Sequence, residues 1–382
     1  MKPRDIALAA LAALVMLGCV LQPQAALSAA RTGLELFLGI VLPSILPFMV
    51  CAWLLIESGA VAAAGRALDG LMRPVFACPG CSAFALLVSM LSGYPTGARM
   101  TLDLYDAGLL NPADARRTGV LASSTGPVFM LGAVGAGLLG SPAAGWVILA
   151  GHFAAVLLTG VFFSFGGDRR RGVAVPMVQS QTRQPAMQAV GEAIKKTVET
   201  LWTVGGYILL FSVVTALLRQ VHAFEPLAWA LSPLFRALGL SPTLAQPVLV
   251  GMLEMTNGCS AVASAGVPMA QRVAVLCVLI SWGGLCIQAQ SMLYLSRAGV
   301  PLARFLLGKA VQAALAGGLS AALMALPVVD AAVFLPTATS PISAGQALMS
   351  SAVYCAGAAL LVATLALFGG KRAWGDSLFR SK

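Results

Sequence analysis

SMLSGYPTGA at residues 89–98 and GMLEMTNGCSA at residues 251–261 are short apolar segments interrupted by glycine and polar residues. Such breaks release backbone groups that lipid cannot satisfy, so they persist in a membrane only where they line a cavity. SSTGPVF at residues 123–129 follows the first segment, and SWGGLCI at residues 281–287 follows the second. Matched breaks in two halves of a chain are typical of transporters with a binding site at the membrane midplane.

A repeated pattern extends this match upstream of the breaks. Four residues of LDGLMRPVFACP recur 163 positions later in LSPLFRALGLSP: Leu68, Leu71, Arg73 and Pro79 match Leu231, Leu234, Arg236 and Pro242. Each copy would hold a crossing, an amphipathic segment, an interrupted hairpin and two further crossings. Because three crossings are an odd number, we predict an inverted repeat, with residues 31–167 as the first copy and residues 197–326 as the second. Chance similarity of apolar segments is the alternative.

The composition indicates that the bilayer is the solvent of this chain. Of its 382 residues, 59% are hydrophobic and 10% are charged, and the mean hydropathy is +0.88, far too apolar for one soluble core. We predict an all-α integral membrane protein with two re-entrant hairpins and about eight crossings of about 20 residues each. The predicted crossings lie near residues 6–22, 33–58, 116–139, 142–166, 197–218, 271–296, 303–326 and 345–369.

The net charge of +10 does not indicate a nucleic-acid partner, because the basic residues lie in loops between apolar runs. Residues 168–196 form a basic connection, and residues 327–382 would hold a last crossing and a basic tail. The positive-inside rule places both basic segments in the cytoplasm. Residues 1–30 would form a first crossing, and a cleaved signal peptide is the alternative. The sequence therefore predicts a multi-pass protein of the cell membrane.

The small polar residues of the four breaks are the candidate substrate ligands. Exposed N–H groups at the start of a half-helix attract anions, and small hydroxyl side chains leave room for a ligand. Close helix packing through small residues is the alternative. The candidates are Ser92, Gly93, Pro95, Thr96, Gly97, Ser123, Ser124, Thr125, Gly126, Thr256, Asn257, Gly258, Ser281, Gly283, Gly284 and Gln288.

Glu254, Arg99 and His152 are the candidates for charge or proton coupling, since an ionisable group inside a membrane is costly to keep. Arg99 could instead anchor the cytoplasmic end of a helix, and His152 could be a hydrogen-bonded side chain between helices. Paired carboxylates, HExxH and GxSxG do not occur in the membrane segments, so an enzyme is not expected. We predict no metal and no cofactor.

Four stretches of the chain carry a resemblance to one family. LPSILPF, LSGYPTGAR, SSTGPVFMLGAVGAG and ISWGGLCIQAQSML, in this order, resemble the sporulation integral membrane protein YlbJ family, within the wider group that carries nucleoside-recognition (Gate) domains. The resemblance implies a membrane protein of endospore-forming bacteria linked to moving dipicolinate toward the forespore. It also implies kinship with concentrative nucleoside transporters, whose paired hairpins hold substrate. By position, Gly93, Pro95, Thr96 and Gly97 would take the first hairpin's role, and Thr256, Asn257 and Gly258 the second's.

The resulting prediction is a transporter that moves a small organic anion such as dipicolinate by alternating access. Its expected partners are the bilayer and the anion, and association with itself or with other sporulation membrane proteins stays open. A nucleoside or nucleobase carrier is one alternative. A scaffold of the sporulation membrane that transports nothing is another, and an intramembrane enzyme is a third.

Overall fold

The computed structural model describes residues 3–165 and 185–327, and every regular element in these ranges is helical. The first range contains α1 (Pro3–Leu21), α2 (Pro23–Leu36), a π-helical turn (Phe37–Val41), α3 (Leu42–Glu57), α4 (Ala60–Phe76), α5 (Ser82–Ser92), α6 (Thr96–Asp106), α7 (Pro112–Leu121), a π-helix (Val128–Leu138) and α8 (Pro142–Phe162). The second contains α9 (Ala186–Gln220), α10 (Phe224–Ala237), a 3-10 turn (Pro242–Leu244), α11 (Ala245–Leu253), α12 (Met255–Ala263), α13 (Met269–Trp282), α14 (Gly284–Leu295) and α15 (Leu302–Met324).

Several helices in the described ranges are suited to a bilayer. Four helices are long and apolar enough to cross one, and the number rises to six if two bent helix pairs each form one span. The bends in these pairs are 105° between Asp5–Leu21 and Pro23–Gly39, and 84° between Ile45–Glu57 and Ala60–Phe76. The four single spans are Pro142–Phe162, Met187–Gln220, Met269–Leu295 and Leu302–Met324. The predicted all-helical fold is thus confirmed, whereas the number of eight crossings is not.

The structure differs from the prediction in two places. The run near residues 116–139, predicted as one crossing, is divided by an irregular stretch at 122–126 into α7 and the π-helix. Pro127 explains the division, because a proline disfavours helical backbone in the residue before it. The connection predicted at 168–196 ends earlier, since α9 begins at Ala186. The crossing predicted at 345–369 lies outside the described residues.

Helix α9 is longer than a bilayer requires. Its 35 residues extend about 52 Å at 1.5 Å per residue, against a hydrocarbon core of about 30 Å. The polar stretch at residues 188–199 therefore belongs to α9 and lies beyond its apolar run. Its charged residues are the reason that a loop was predicted there.

The two halves of the chain contain the same elements in the same order. Each has a first helix (α3 or α9), an amphipathic helix (α4 or α10), a hairpin (α5–α6 or α11–α12), a broken helix (α7 with the π-helix, or α13 with α14) and a closing helix (α8 or α15). Contacts between the halves are reciprocal as well. Helix α6 packs on α14 as α12 packs on the π-helix, while α8 packs on α13 as α15 packs on α7. The hairpin of each half thus lies against the broken helix of the other.

Candidate functional site

The four breaks meet where the two halves pack together. At the tip of the first hairpin, a Cβ added to Gly93 would lie 2.8 Å from the backbone nitrogen of Gly126. Gly284 of the second broken helix faces the tip of the second hairpin: a Cβ added to it would lie 3.0 Å from the carbonyl oxygen of Leu253 and 3.1 Å from the nitrogen of Met255. Gly93 has a φ of 87° and Gly284 a φ of 71°, values that favour glycine. Each hairpin tip therefore touches a broken helix at backbone distance.

Tyr94 connects the breaks of the two halves. Its hydroxyl lies 3.4 Å from the carbonyl oxygen of Ser123 in the first half. It also lies 3.5 and 3.4 Å from the carbonyl oxygens of Ile280 and Ser281 in the second half. The end of the first hairpin is thus surrounded by backbone carbonyl groups from both broken helices.

Lys309 packs against the ring of Tyr94 and is 1% exposed. Its Nζ donates to the Tyr94 hydroxyl at 2.5 Å, to Oε1 of Gln312 at 3.0 Å and to the carbonyl oxygen of Ser123 at 3.4 Å. In the described ranges, none of the ion pairs within 4.0 Å includes Lys309. Nζ of Lys309, inside a membrane span, thus has neutral oxygens as its hydrogen-bond acceptors, and none of the described carboxylates pairs with it.

His152 links a break of the first half to a break of the second. The side chain is fully buried, and its Nδ1 lies 2.7 Å from Oγ of Ser281. Its Nε2 lies 3.1 Å from Oγ of Ser124 and 3.0 Å from the backbone nitrogen of Thr125. Because the N–H of Thr125 can only donate, Nε2 is an acceptor, and Nδ1 carries the proton and donates to Ser281. The imidazole is therefore neutral in this arrangement.

Glu254 caps the second half of the second hairpin. Its Oε1 accepts from the N–H of Thr256 at 3.0 Å, and its Oε2 accepts from the N–H of Asn257 at 2.7 Å. This is the N-cap arrangement for a carboxylate at a helix start. The N–H groups that the sequence suggested for an anion are thus occupied by the chain's own carboxylate, while the Asn257 side chain lines a cavity beside α9.

Arg99 lies apart from the central cluster. Its Nε is 3.0 Å from Oδ1 of Asp103, and its guanidinium group lies 5.2 and 5.4 Å from the ring centres of Trp53 and Tyr294. Such an ion pair with stacked rings holds the side chain in place. The geometry gives Arg99 partners in α3, α6 and α14.

Comparison with known proteins identifies the family of the chain. It is 30% identical over 307 residues to the sporulation integral membrane protein YlbJ of Bacillus subtilis (strain 168), and the alignment covers 76% of this chain and 75% of that protein. The chain belongs to the YlbJ family. Residues 38–165 also match the nucleoside recognition (Gate) family. No solved structure matches the chain. The family resemblance predicted from the four motifs is therefore confirmed, and with it an integral membrane protein.

Several buried polar atoms of this YlbJ-family chain lack a hydrogen-bond partner within the described residues. They include, at or beside the breaks, Oγ of Ser92, Ser123 and Ser291, Oε1 of Gln288 and Nε2 of Gln312. Buried polar groups are nearly always satisfied, so such atoms indicate places where water or a ligand bonds. The remaining predicted residues of the first half are bonded within the fold: Oγ1 of Thr96 donates to the carbonyl of Gly93, and Oγ of Ser89 accepts from the N–H of Ser124 at 2.9 Å.

Lys309 is the residue that the sequence analysis missed. A signal was present, because Lys309 is the only charged residue in FLLGKAVQAAL at 305–315 and Gln312 follows three positions later. Like His152, this lysine is an ionisable residue within an apolar run, where such a group is costly to keep.

Two predicted site glycines are closely packed. A Cβ on Gly97 would overlap the carbonyl oxygen of Ala122, and one on Gly258 would overlap Cα of Gly251 in the facing arm of the hairpin. We therefore expect Gly258→Ala to push the arms of the second hairpin apart and to reduce the stability by about 1–3 kcal/mol. Thermal unfolding of purified protein in detergent measures this effect.

Gly206→Ala is the matched control for that experiment. Gly206 lies inside α9, and an added Cβ would meet nothing within 4 Å. Alanine there is expected to leave the midpoint unchanged or to raise it, because glycine weakens a helix interior. Equal midpoints for wild type and Gly258→Ala would contradict the close packing of the hairpin.

Proposed function

We propose that this YlbJ-family protein is a membrane transporter for a small organic anion, with dipicolinate as the candidate substrate, and that it is not an enzyme. The observation that carries the proposal is Lys309, a buried basic side chain without a carboxylate partner in the described ranges, placed where the hairpins and broken helices meet. The relative's name refers to sporulation, and we propose the mother-cell membrane around the forespore as the location.

The surroundings of Lys309 favour an anionic ligand. Burial without an ionic partner disfavours the charged form of a lysine, and an anion beside Nζ would stabilise that form. The unpartnered hydroxyl groups of Ser92 and Ser123 and the amide Nε2 of Gln312 offer donors for the same ligand. A planar dicarboxylate has a carboxylate at each of two edges. One carboxylate would bind Lys309, and the other would accept hydrogen bonds from the serine hydroxyl groups.

The duplicated architecture supports alternating access. Residues 31–167 and 197–326 are proposed as inverted copies, since the reciprocal helix contacts are those expected from a two-fold axis between them. Rocking of one copy against the other would expose the breaks to either side of the membrane in turn. The contact between His152 and Ser281 crosses the boundary between the copies, so it would have to form and break, or move with both.

A nucleoside or nucleobase carrier is the second candidate function. The match of residues 38–165 to the nucleoside recognition family favours it. A membrane scaffold would leave the buried lysine and the unpartnered polar atoms without a role. Self-association and contact with other sporulation membrane proteins are compatible with either transport function.

Ligand binding to the purified protein distinguishes these functions. We expect dipicolinate to raise the thermal midpoint and to be taken up into vesicles, with an affinity about tenfold or more above that of uridine, because one charge contact is worth about 1–2 kcal/mol. The dimethyl ester of dipicolinate keeps the ring but loses both charges, and it should not bind. Stabilisation by uridine without dipicolinate would establish the nucleoside carrier, and binding of none of the three would favour the scaffold.

A further inference from the structure

We propose a second oxyanion-binding site, separate from Lys309, in the cavity between α2, α9 and the second hairpin. The cavity has a volume of about 300 Å³, which exceeds the space of a single water molecule several-fold. Its polar lining comes from three elements, with Ser28 and Thr32 on α2, Ser212, Thr215 and Arg219 on α9, and Asn257 on α12.

The spacing of these residues follows the helix period. Ser212, Thr215 and Arg219 are separated by three and four positions, which places them on one face of α9. Ser28 and Thr32 are four positions apart on α2, the helix that packs against this face. Two neighbouring helices therefore line the cavity with hydroxyl-bearing residues, and Arg219 lies at its opening.

Two observations indicate that a ligand belongs in the cavity. Thr215 is 1% exposed, yet its Oγ1 has no hydrogen-bond partner in the part of the chain that the structure describes. Arg219 is exposed, and none of the ion pairs of the described residues includes it. The carboxylate of Glu254 accepts from the backbone of α12 and lies near enough to Arg219 for their charges to interact, but the two do not form an ion pair. A hydroxyl donor inside and a guanidinium donor at the rim match the needs of a carboxylate or a phosphate.

The ligand chemistry is that of an oxyanion, and two sources can supply it. Helix α1, next to α2, exposes apolar side chains such as Met16 at 70% and Val20 at 76%, so a phospholipid could place its phosphate here. A soluble anion could occupy the same donors. Asn257 lines the cavity and belongs to the second hairpin. A lipid phosphate or a soluble anion in the cavity would therefore influence the position of that hairpin.

Titration of the full-length protein with inorganic phosphate tests the free anion, and native mass spectrometry after purification with phosphatidylglycerol or phosphatidylcholine tests the lipid. We expect Arg219→Gln and Thr215→Val to weaken phosphate stabilisation at least tenfold, or to abolish the retained phosphatidylglycerol. Thr215→Val removes a hydroxyl that has no hydrogen-bond partner among the described residues, so the ligand-free midpoint should not fall. Repeating the titration with Lys309→Met excludes anions at the central breaks, since that variant keeps the cavity.

Arg236→Gln is the matched control, because Arg236 is an exposed arginine on α10 that does not line the cavity. If binding of phosphate or of phosphatidylglycerol depends on Arg219 and Thr215, the site is supported, and the probe that binds identifies the source of the oxyanion. Equal effects of Arg219→Gln and Arg236→Gln, or the absence of binding with both probes, would overturn the proposal.

Discussion

Lys309→Met is expected to reduce transport at least a hundredfold while the protein stays folded in the membrane. Methionine has nearly the length of lysine but no charge, so the anion would lose its opposite charge at the breaks. The thermal midpoint should hold or rise, because methionine replaces a buried polar amine by an apolar group of similar length and so removes a desolvation cost. Uptake of labelled dipicolinate into vesicles and thermal unfolding in detergent measure the two effects separately.

Arg297→Gln is the control for this experiment. Arg297 is an exposed cation in the turn after α14, and removing its charge should leave uptake unchanged. Lys309→Gln provides a second variant, since glutamine can still donate to the Tyr94 hydroxyl but carries no charge. If both Lys309 variants transport at the wild-type rate, Lys309 does not balance the charge of the substrate.

Sequence reasoning predicted the fold well where one physical rule acts locally. Long apolar runs need a bilayer and helical backbone, which gave the all-helical class and the spans at α8, α9, α13–α14 and α15. The breaks were located because glycine at Gly93 and Gly283 allows the positive φ values of 87° and 82° that end α5 and α13. Each of these features depends on a few consecutive residues.

Features that depend on distant parts of the chain could not be read in the same way. His152 and Ser281 are 129 positions apart, and nothing near either residue indicates that they meet. Glu254 was predicted to take part in charge or proton coupling. Its carboxylate instead accepts from the backbone N–H groups two and three positions later. Lys309 was overlooked because the positive-inside rule directs attention to cations in loops. The partner of a buried charge is set by helix packing, which the sequence pattern alone does not contain.

The two histidines of the chain provide the second large effect. His152→Phe keeps the approximate size of the ring but leaves the N–H of Thr125 and the hydroxyl of Ser281 without their partner. An unsatisfied buried group costs about 1–3 kcal/mol, so the free energy of unfolding and the transport rate should both fall markedly. His222→Asn is the control: that side chain is 73% exposed, and asparagine tolerates the φ of 54° at this position, so the change should stay within about 0.5 kcal/mol.

A double-mutant cycle tests whether His152 couples the two halves through Ser281. Ser281→Ala alone strands the Nδ1 proton of His152, and His152→Phe alone strands the serine hydroxyl, so each single change should be costly. The pair of changes removes both partners and should cost less than the sum, by about 0.5–3 kcal/mol. Denaturant unfolding in mixed micelles gives the four free energies. Additive costs would show that His152 and Ser281 act independently, and the proposed link between the halves would then have to run through Tyr94 instead.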